Sequence, residues 1–291
     1  MSMNAILEVT GLSKQYKNSD FQLNDISFSL PSGSIMGFIG ENGAGKSTTI
    51  GCILGTLIKD RGNVRIFGRE MSEESSDIRD DIGVVLDANN YSDDLTANML
   101  SVVMRHIYSK WDTTLFNEYL DRFKLPAAKK IKRFSRGMTM KLGLAVALSH
   151  HPKLLILDEA TSGLDPIVRE EMLDVFMGFV QDENNSILLS SHITTDLEKV
   201  ADYIMFIHNG SIILNEKKHV LSDSYGVMRL KAAQFAQIDR EDLLSFRKHD
   251  YQIDVLVADR KAAAKKYPGC VIDRVSIEEI MLMLVKGEVN G

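Results

Sequence analysis

Cysteine is almost absent: the sequence holds only Cys52 and Cys270, far apart and outside any CxxC or Cys/His ligand spacing. That excludes a disulfide framework and a cysteine zinc site, and it fits a reducing compartment. Long apolar runs are missing too. Nowhere do about 18 apolar residues follow one another, so no segment reads as a membrane span. Met1 to Val9 lacks the basic stretch followed by an apolar one that marks a signal peptide. Positive charge is not in excess: 34 basic against 40 acidic residues give a net charge of −6. This argues against a nucleic-acid backbone as the main partner, because that partner rewards clustered Lys and Arg. The densest basic run, Lys129, Lys130, Lys132 and Arg133, reads first as a solvated face, with contact to a partner or to anionic lipid as the alternative. Low-complexity tracts are absent, so disorder is excluded as the organising feature.

What is present is an ordinary folding composition, 44% hydrophobic and 25% charged. At 291 residues the chain has room for one large core and a smaller appendage. From Ile6 to Leu30 apolar and polar residues alternate, as in Ile26, Phe28 and Leu30, which predicts half-buried antiparallel strands. Ile35 to Ile39 is short and apolar, the pattern of a strand buried on both faces, and it runs directly into a glycine-rich loop. Further strands are expected at Asn63 to Phe67 and Ile82 to Leu86. From Leu95 to Leu125 the apolar residues recur at helical spacing, as Leu115, Phe116, Tyr119, Leu120 and Phe123 do, predicting a helical insertion. A second helix is expected from Ser135 to about Ser149, and the buried strand Leu154 to Leu157 ends at Asp158-Glu159. His150 and His151, at the end of that helix, read as surface residues. Asp165-Pro166 is a helix start, and Ile187 to Ser190 is one more buried strand, followed at once by His192. Tyr203 to Ile213, with Asn209-Gly210 at its centre, predicts a type I′ hairpin. The tail reads as a small α+β module with strands at Tyr251 to Val257 and Val271 to Val275. A helix there opens with the capping box Ser276-Ile277-Glu278-Glu279.

The loop Gly40-Glu41-Asn42-Gly43-Ala44-Gly45-Lys46-Ser47 matches GxxxxGK[ST], and Thr48 follows it. Glycines let backbone N–H groups turn inward around phosphates, and the amino end of the next helix adds positive potential. Lys46 would reach the β- and γ-phosphates, and Ser47 would place its hydroxyl on Mg²⁺. Asp158 and Glu159 are the second component. An apolar strand delivers two acids to the sheet edge where ligands bind in α/β folds. Asp158 would hold Mg²⁺, and Glu159 would orient and deprotonate an attacking water. Paired acids at a strand end are otherwise simple caps; beside a phosphate loop they point to nucleotide chemistry.

The order of these elements with Phe134-Ser135-Arg136-Gly137-Met138, Ser162-Gly163-Leu164-Asp165 and His192 resembles that of ABC-type ATPases, over roughly residues 5 to 215. The resemblance implies an α/β fold: a P-loop NTPase cassette with a RecA-like core, an antiparallel β subdomain and a helical subdomain. It implies an ATP-binding domain over residues 1–216, with the helical subdomain at about 88–150. The accessory α+β module would then cover 217–291. It further implies that Ser135, Arg136 and Gly137 face the γ-phosphate held by a second subunit, so that two chains sandwich two ATP molecules head to tail as a homodimer or pseudo-dimer. His192 then resembles the switch histidine on the γ-phosphate, Asp165 the acid that crosses between subunits, and Tyr16 the aromatic that stacks on adenine.

Two positions depart from that pattern. Where the family has a glutamine after the strand Ile82 to Leu86, this sequence has Asp87. Either Asp87 reaches Mg²⁺ through water, or Asn89 or Asn90 supplies the amide. The usual LSGGQ has become Phe134-Ser135-Arg136-Gly137-Met138, with a cation in place of one glycine.

ATPases of this type also act on DNA and on ribosomes, so the chemistry alone does not establish transport. Between Asp87 and Ser135 there is room for a compact helical subdomain but not for the long coiled coil of the chromosome and repair branches. The single cassette differs from the paired cassettes of the ribosome-acting branch. The resemblance therefore implies the motor subunit of a bacterial exporter at the cytoplasmic face of the membrane, with a separate transmembrane permease, no nucleic acid, and ATP and Mg²⁺ as cofactors. Two alternatives stand beside it: a soluble ATPase acting on ribosomes or DNA, and a cassette of low ATPase activity with a regulatory role. Trp111 and Phe116 lie in the region that would receive the permease, and packing within the subdomain is the first reading for both.

Overall fold

The computed structural model describes residues 5–17, 21–72, 75–87 and 91–288. The chain divides into two compact units, Met1–Ala201 with Ile207–Ile212, and Asp202–Phe206 with Ile213–Gly291.

In the first unit the alternating segment forms an antiparallel sheet in the order Gln22–Pro31, Ala5–Gln15, Arg61–Ile66, Arg69–Glu70. Val9 stands opposite Phe28 on one side and Val64 on the other, so one face of the sheet is continuous apolar surface. A second sheet has six strands in the order Ser211–Lys217, Tyr203–His208, Ile35–Ile39, Ser186–Ser191, Leu154–Asp158, Ile82–Val85. Its last four strands run parallel. Leu154, Leu155, Ile156 and Leu157 are fully buried, which is why this stretch reads as a continuous apolar run; each such side chain contributes about 1.5–3 kcal/mol.

The helix Arg136–Leu148 packs directly on the strand Ile82–Val85. The approach depends on Gly83, where a Cβ would stand 2.5 Å from Leu155 Cδ2 and 2.8 Å from the Ala147 carbonyl oxygen. The helical insertion resolves into Ala97–Ile107 and Thr113–Arg122, then a single 3₁₀ turn at Ile131–Arg133. Thr96 and Asp112 cap the two helices, accepting from Met99 N–H and from Thr114 and Leu115 N–H respectively. Phe116 of the second helix is fully buried, the Trp111 ring centroid lies 5.2 Å from its own, and the indole N–H donates to Ser101 Oγ. Lys130 and Lys132 of the basic run both pair with Asp94 in solvent.

One expectation is overturned here. His150 is not a surface residue but fully buried. Its ring stacks on Tyr108 with centroids 3.9 Å apart, and its nitrogens face the carbonyl oxygens of Val146 at 3.3 Å and Ile82 at 3.1 Å. Burial pushes its pKa below the ordinary value, so the ring is neutral and donates to one of the two carbonyls. The histidine pair looks solvated in sequence because the residues that close over the first ring are distant along the chain. His151 does remain exposed, 3.4 Å from Asp112.

Strands Tyr203–His208 and Ser211–Lys217 are joined through Asn209 and Gly210, both at positive φ (46° and 74°), as a type I′ turn requires. In the second unit an antiparallel sheet has the order Ser245–Lys248, Ile253–Val257, Gly226–Leu230, Val271–Arg274. Met228, Leu230, Phe246, Val255 and Val257 form its core. On the other face Arg229 pairs with Asp254, Asp273 and Glu279. Ser276 caps the helix Ile277–Lys286, accepting from Glu279 N–H.

Candidate functional site

Because four of the strands are parallel, their carboxyl ends share one edge of the sheet. Ile39 pairs with Ser191, Asp158 with Ser190, and Val85 with Leu157. The residues that follow these strands are therefore neighbours: Gly40 of the glycine loop, Glu159, His192 and Asp87. Register alone brings the sequence-predicted groups together.

The loop Gly40 to Gly45 leads into the helix Lys46–Leu54, whose N-cap, Gly45, supplies no side chain to the helix N–H groups. That amino end is left for an anion. Gly45 has φ 118°, and a Cβ there would meet Leu23 Cδ2 at 2.6 Å, so no other residue fits. Gly43 has φ 84° with open space on its Cβ side. Lys46 is buried and folds back over the loop, donating to the carbonyl oxygens of Gly40 at 2.7 Å and Glu41 at 3.4 Å. The loop is preformed around its cation.

A cavity of about 410 Å³ opens at this edge, lined by Phe21, Glu41, Asn42, Lys46, Ser47, Thr48, Asp87, Asp158 and Glu159. Asp158 is buried and accepts a hydrogen bond from Ser190 Oγ on the adjacent strand. Glu159 has a left-handed backbone (φ 53°), which costs of order 1–3 kcal/mol and turns its side chain into the cavity mouth. Its N–H donates to Ser190 O and Oγ at 3.1 and 3.2 Å, which holds the turn. One carboxylate oxygen lies 3.2 Å from Lys46 Nζ, a charge contact without hydrogen-bond alignment; the other lies 2.7 Å from His192 Nδ1. Glu159 thus stands between a buried ammonium and a half-exposed imidazole.

On the other side of the edge, Ser135 caps the helix Arg136–Leu148 and accepts from Met138 N–H. Gly137 lies in the first turn of that helix, with Val168 and Leu164 nearest. Asp165 caps the helix Pro166–Phe179, one of its oxygens accepting from Ile167 and Val168 N–H at 3.1 Å each. Asp87 accepts a hydrogen bond from Arg136 Nη2. Asn89 and Asn90 lie outside the described residues.

Tyr16 does not line the cavity; the aromatic that does is Phe21, whose ring centroid is 6.5 Å from that of Tyr16. Phe21 and Ser190 are the two residues that sequence reasoning did not single out. Phe21 carried one available signal, an aromatic immediately before a strand that borders the glycine loop. Ser190 carried none, since only the register sets it against Asp158.

Among the described residues no group of three or more His, Cys, Asp or Glu side chains is disposed to hold a metal ion. The candidates are two oxygen donors, the Ser47 hydroxyl and the Asp158 carboxylate. That donor set suits a hard cation that keeps water and phosphate oxygens in its shell.

Comparison with known proteins identifies the family. The ABC transporter family model matches residues 23–162. The bacitracin transport ATP-binding protein BcrA of Bacillus licheniformis is 31% identical over 258 residues, covering 86% of this chain and 83% of the relative. The lantibiotic transport ATP-binding protein SrtF of Streptococcus pyogenes is 36% identical over 214 residues, 73% of this chain and 91% of the relative. The chain belongs to the ATP-binding proteins of ABC transporters. A solved structure of the ATP binding subunit of an ABC transporter superposes with a TM-score of 0.65 at 27% identity, over 74% of this chain and 91% of the other. As an ABC ATP-binding protein the chain binds ATP and belongs to a family of ATPases, and the Gly40–Ser47 loop lies within the matched segment.

Proposed function

We propose that this ABC ATP-binding protein is the motor half of an exporter and that the cavity at the glycine loop holds MgATP. Lys46 and the loop N–H groups, with Thr48, cradle the phosphates, and Phe21 with Tyr16 beside it offers the aromatic surface for the base. Ser47 and Asp158 would hold Mg²⁺, which neutralises phosphate charge when bound. Glu159 positions the attacking water and takes its proton. His192, on the far side of that carboxylate, orients Glu159 and meets the terminal phosphate. Ser135, Arg136, Gly137 and Asp165 face the partner chain of a head-to-tail dimer, which ATP binding closes and hydrolysis reopens.

The observation that carries the proposal is the clamp on Glu159, a carboxylate held between Lys46 at 3.2 Å and His192 at 2.7 Å at the mouth of the cavity of about 410 Å³ that the glycine loop lines. A second observation supports a membrane partner. The helix Ala97–Ile107 exposes Met99, Val102, Val103 and Ile107 at helical spacing, an apolar stripe that a permease segment would cover. No helix among the described residues is long and apolar enough to cross a membrane, so in this reading the permease is a separate polypeptide. The relatives named for transport of bacitracin and of a lantibiotic support a role in transport over one on ribosomes or DNA.

The test is a tagged Glu159→Gln chain purified in mild detergent with ATP present. A multi-spanning membrane protein at near-equal stoichiometry is expected. Recovery of ribosomes or DNA-bound proteins, with no permease, would overturn the exporter reading.

A further inference from the structure

Asp87 and Arg136 are the two positions at which the site departs from the family's pattern, and the fold pairs them with each other: Arg136 Nη2 donates to Asp87 Oδ1. We propose that Arg136 is a positioning residue for Asp87, neutralising a carboxylate that would otherwise repel the bound nucleotide, so that the two substitutions work only together.

Asp87 stands where two cavities meet. It lines the phosphate-loop cavity, and it also lines a second cavity of about 300 Å³ whose walls include Phe134, Arg136, Thr139 and Met140. A carboxylate at this partition can face either space. The guanidinium lies on the side of the second cavity. It lies over Gly163, where a Cβ would stand 3.2 Å from Arg136 Cζ, so a side chain at 163 would crowd it by a few tenths of an ångström. Three segments converge on one charge pair: the end of the strand Ile82–Val85, the first turn of the helix Arg136–Leu148, and the turn at Ser162-Gly163.

Both side chains are about half exposed, 49% for Arg136 and 55% for Asp87. A pair this solvated adds little to folding stability. Its consequence lies in the charge presented to a polyanion. Strip the guanidinium away and a bare carboxylate remains in the lining of a phosphate cavity; at the effective dielectric of a half-exposed site that repulsion is on the order of tenfold in affinity. Removing the carboxylate as well removes the repulsion. A pair that served only as a strut would show no such recovery.

The inference depends on the cavity being the nucleotide site, and the experiment separates the two claims. MgATP binding is measured by calorimetry on the full chain, in a Glu159→Gln background that prevents turnover. The added variants are Arg136→Ala, Asp87→Asn, the double variant and Lys46→Ala. We expect Arg136→Ala to raise the Kd about tenfold, with the loss shrinking as salt is added. The double variant should return to within about threefold of the parent. If Arg136→Ala fails to fold, Arg136→Gln, which keeps the polar stem of the side chain without the guanidinium charge, carries the same expectation. An unchanged Kd in Arg136→Ala, or a double variant as weak as that single one, overturns the proposal while loss of binding in Lys46→Ala preserves the site. Parent-like binding in Lys46→Ala removes the site itself.

Discussion

The two halves of the nucleotide edge are built differently. On the phosphate-loop half the charged groups are buried and tied to the sheet: Lys46 is 6% exposed and Glu159 13%, and Asp158 is held by Ser190 from the neighbouring strand. On the half that carries the helix starts at Ser135 and Asp165, Arg136 and Asp87 are about half exposed, and Ser135 and Asp165 serve as helix caps. The charged groups on the phosphate-loop half are buried, and the two positions that read in sequence as departures from the family's pattern, Asp87 and Arg136, are both exposed. A group fixed by strand register has one geometry available. A group on a solvated helix end can be exchanged if its new charge finds a partner nearby, as Asp87 and Arg136 have done.

The sharpest way to break this contrast is at Glu159. Glu159→Gln should lower ATP turnover by about a thousandfold while leaving MgATP bound, measured as steady-state phosphate release beside calorimetric affinity. Gly45→Ala strikes the buried half through its backbone. A Cβ 2.6 Å from Leu23 at φ 118° should destabilise the fold by about 2–3 kcal/mol and abolish detectable ATP binding, read from denaturant midpoints and calorimetry. Ser190→Ala frees Asp158 and removes one of the two acceptors for Glu159 N–H, and should lower kcat about tenfold with a smaller change in KM.

His150 tests the buried side by pH. Its folded pKa is depressed below the ordinary 6.5 by burial, so its stabilising contribution is present above pH 6.5 and is lost as pH falls toward the folded value. Thermal midpoints of the wild type should therefore fall as pH drops from 7 to 5, and His150→Gln should flatten that slope. The exposed side should be forgiving. Lys132 first, then Lys130, holds the Asp94 carboxyl down at about 2. That pairing is present above pH 4 and is lost only in strong acid. Asp94→Ala should nevertheless move the melting temperature by no more than about 2 °C at neutral pH, because the pair is fully solvated.

Most of the first unit was legible because its signals are local. The glycine loop, the buried strand ending at Asp158, and the Asp165-Pro166 helix start each lie within a few consecutive residues. What escaped depends on distant segments meeting. His150 is buried by Tyr108 and the strand Ile82–Val85, and Ser190 finds Asp158 only through the register of two strands. The strand Gly226–Leu230, central to the second sheet, was unreadable for another reason. Arg229 sits in its middle and is accommodated only by three acids brought from other elements, so the run shows no uninterrupted apolar pattern.

The left-handed backbone at Glu159 has an evolutionary reading. Asn and Gly adopt that conformation with less strain than Glu does, so a descendant freed from the demand to turn over ATP would gain stability by drifting to either at position 159. In the proposed mechanism the strain at position 159 is accepted for the sake of hydrolysis, so Glu159 is the one residue whose replacement would trade turnover for stability.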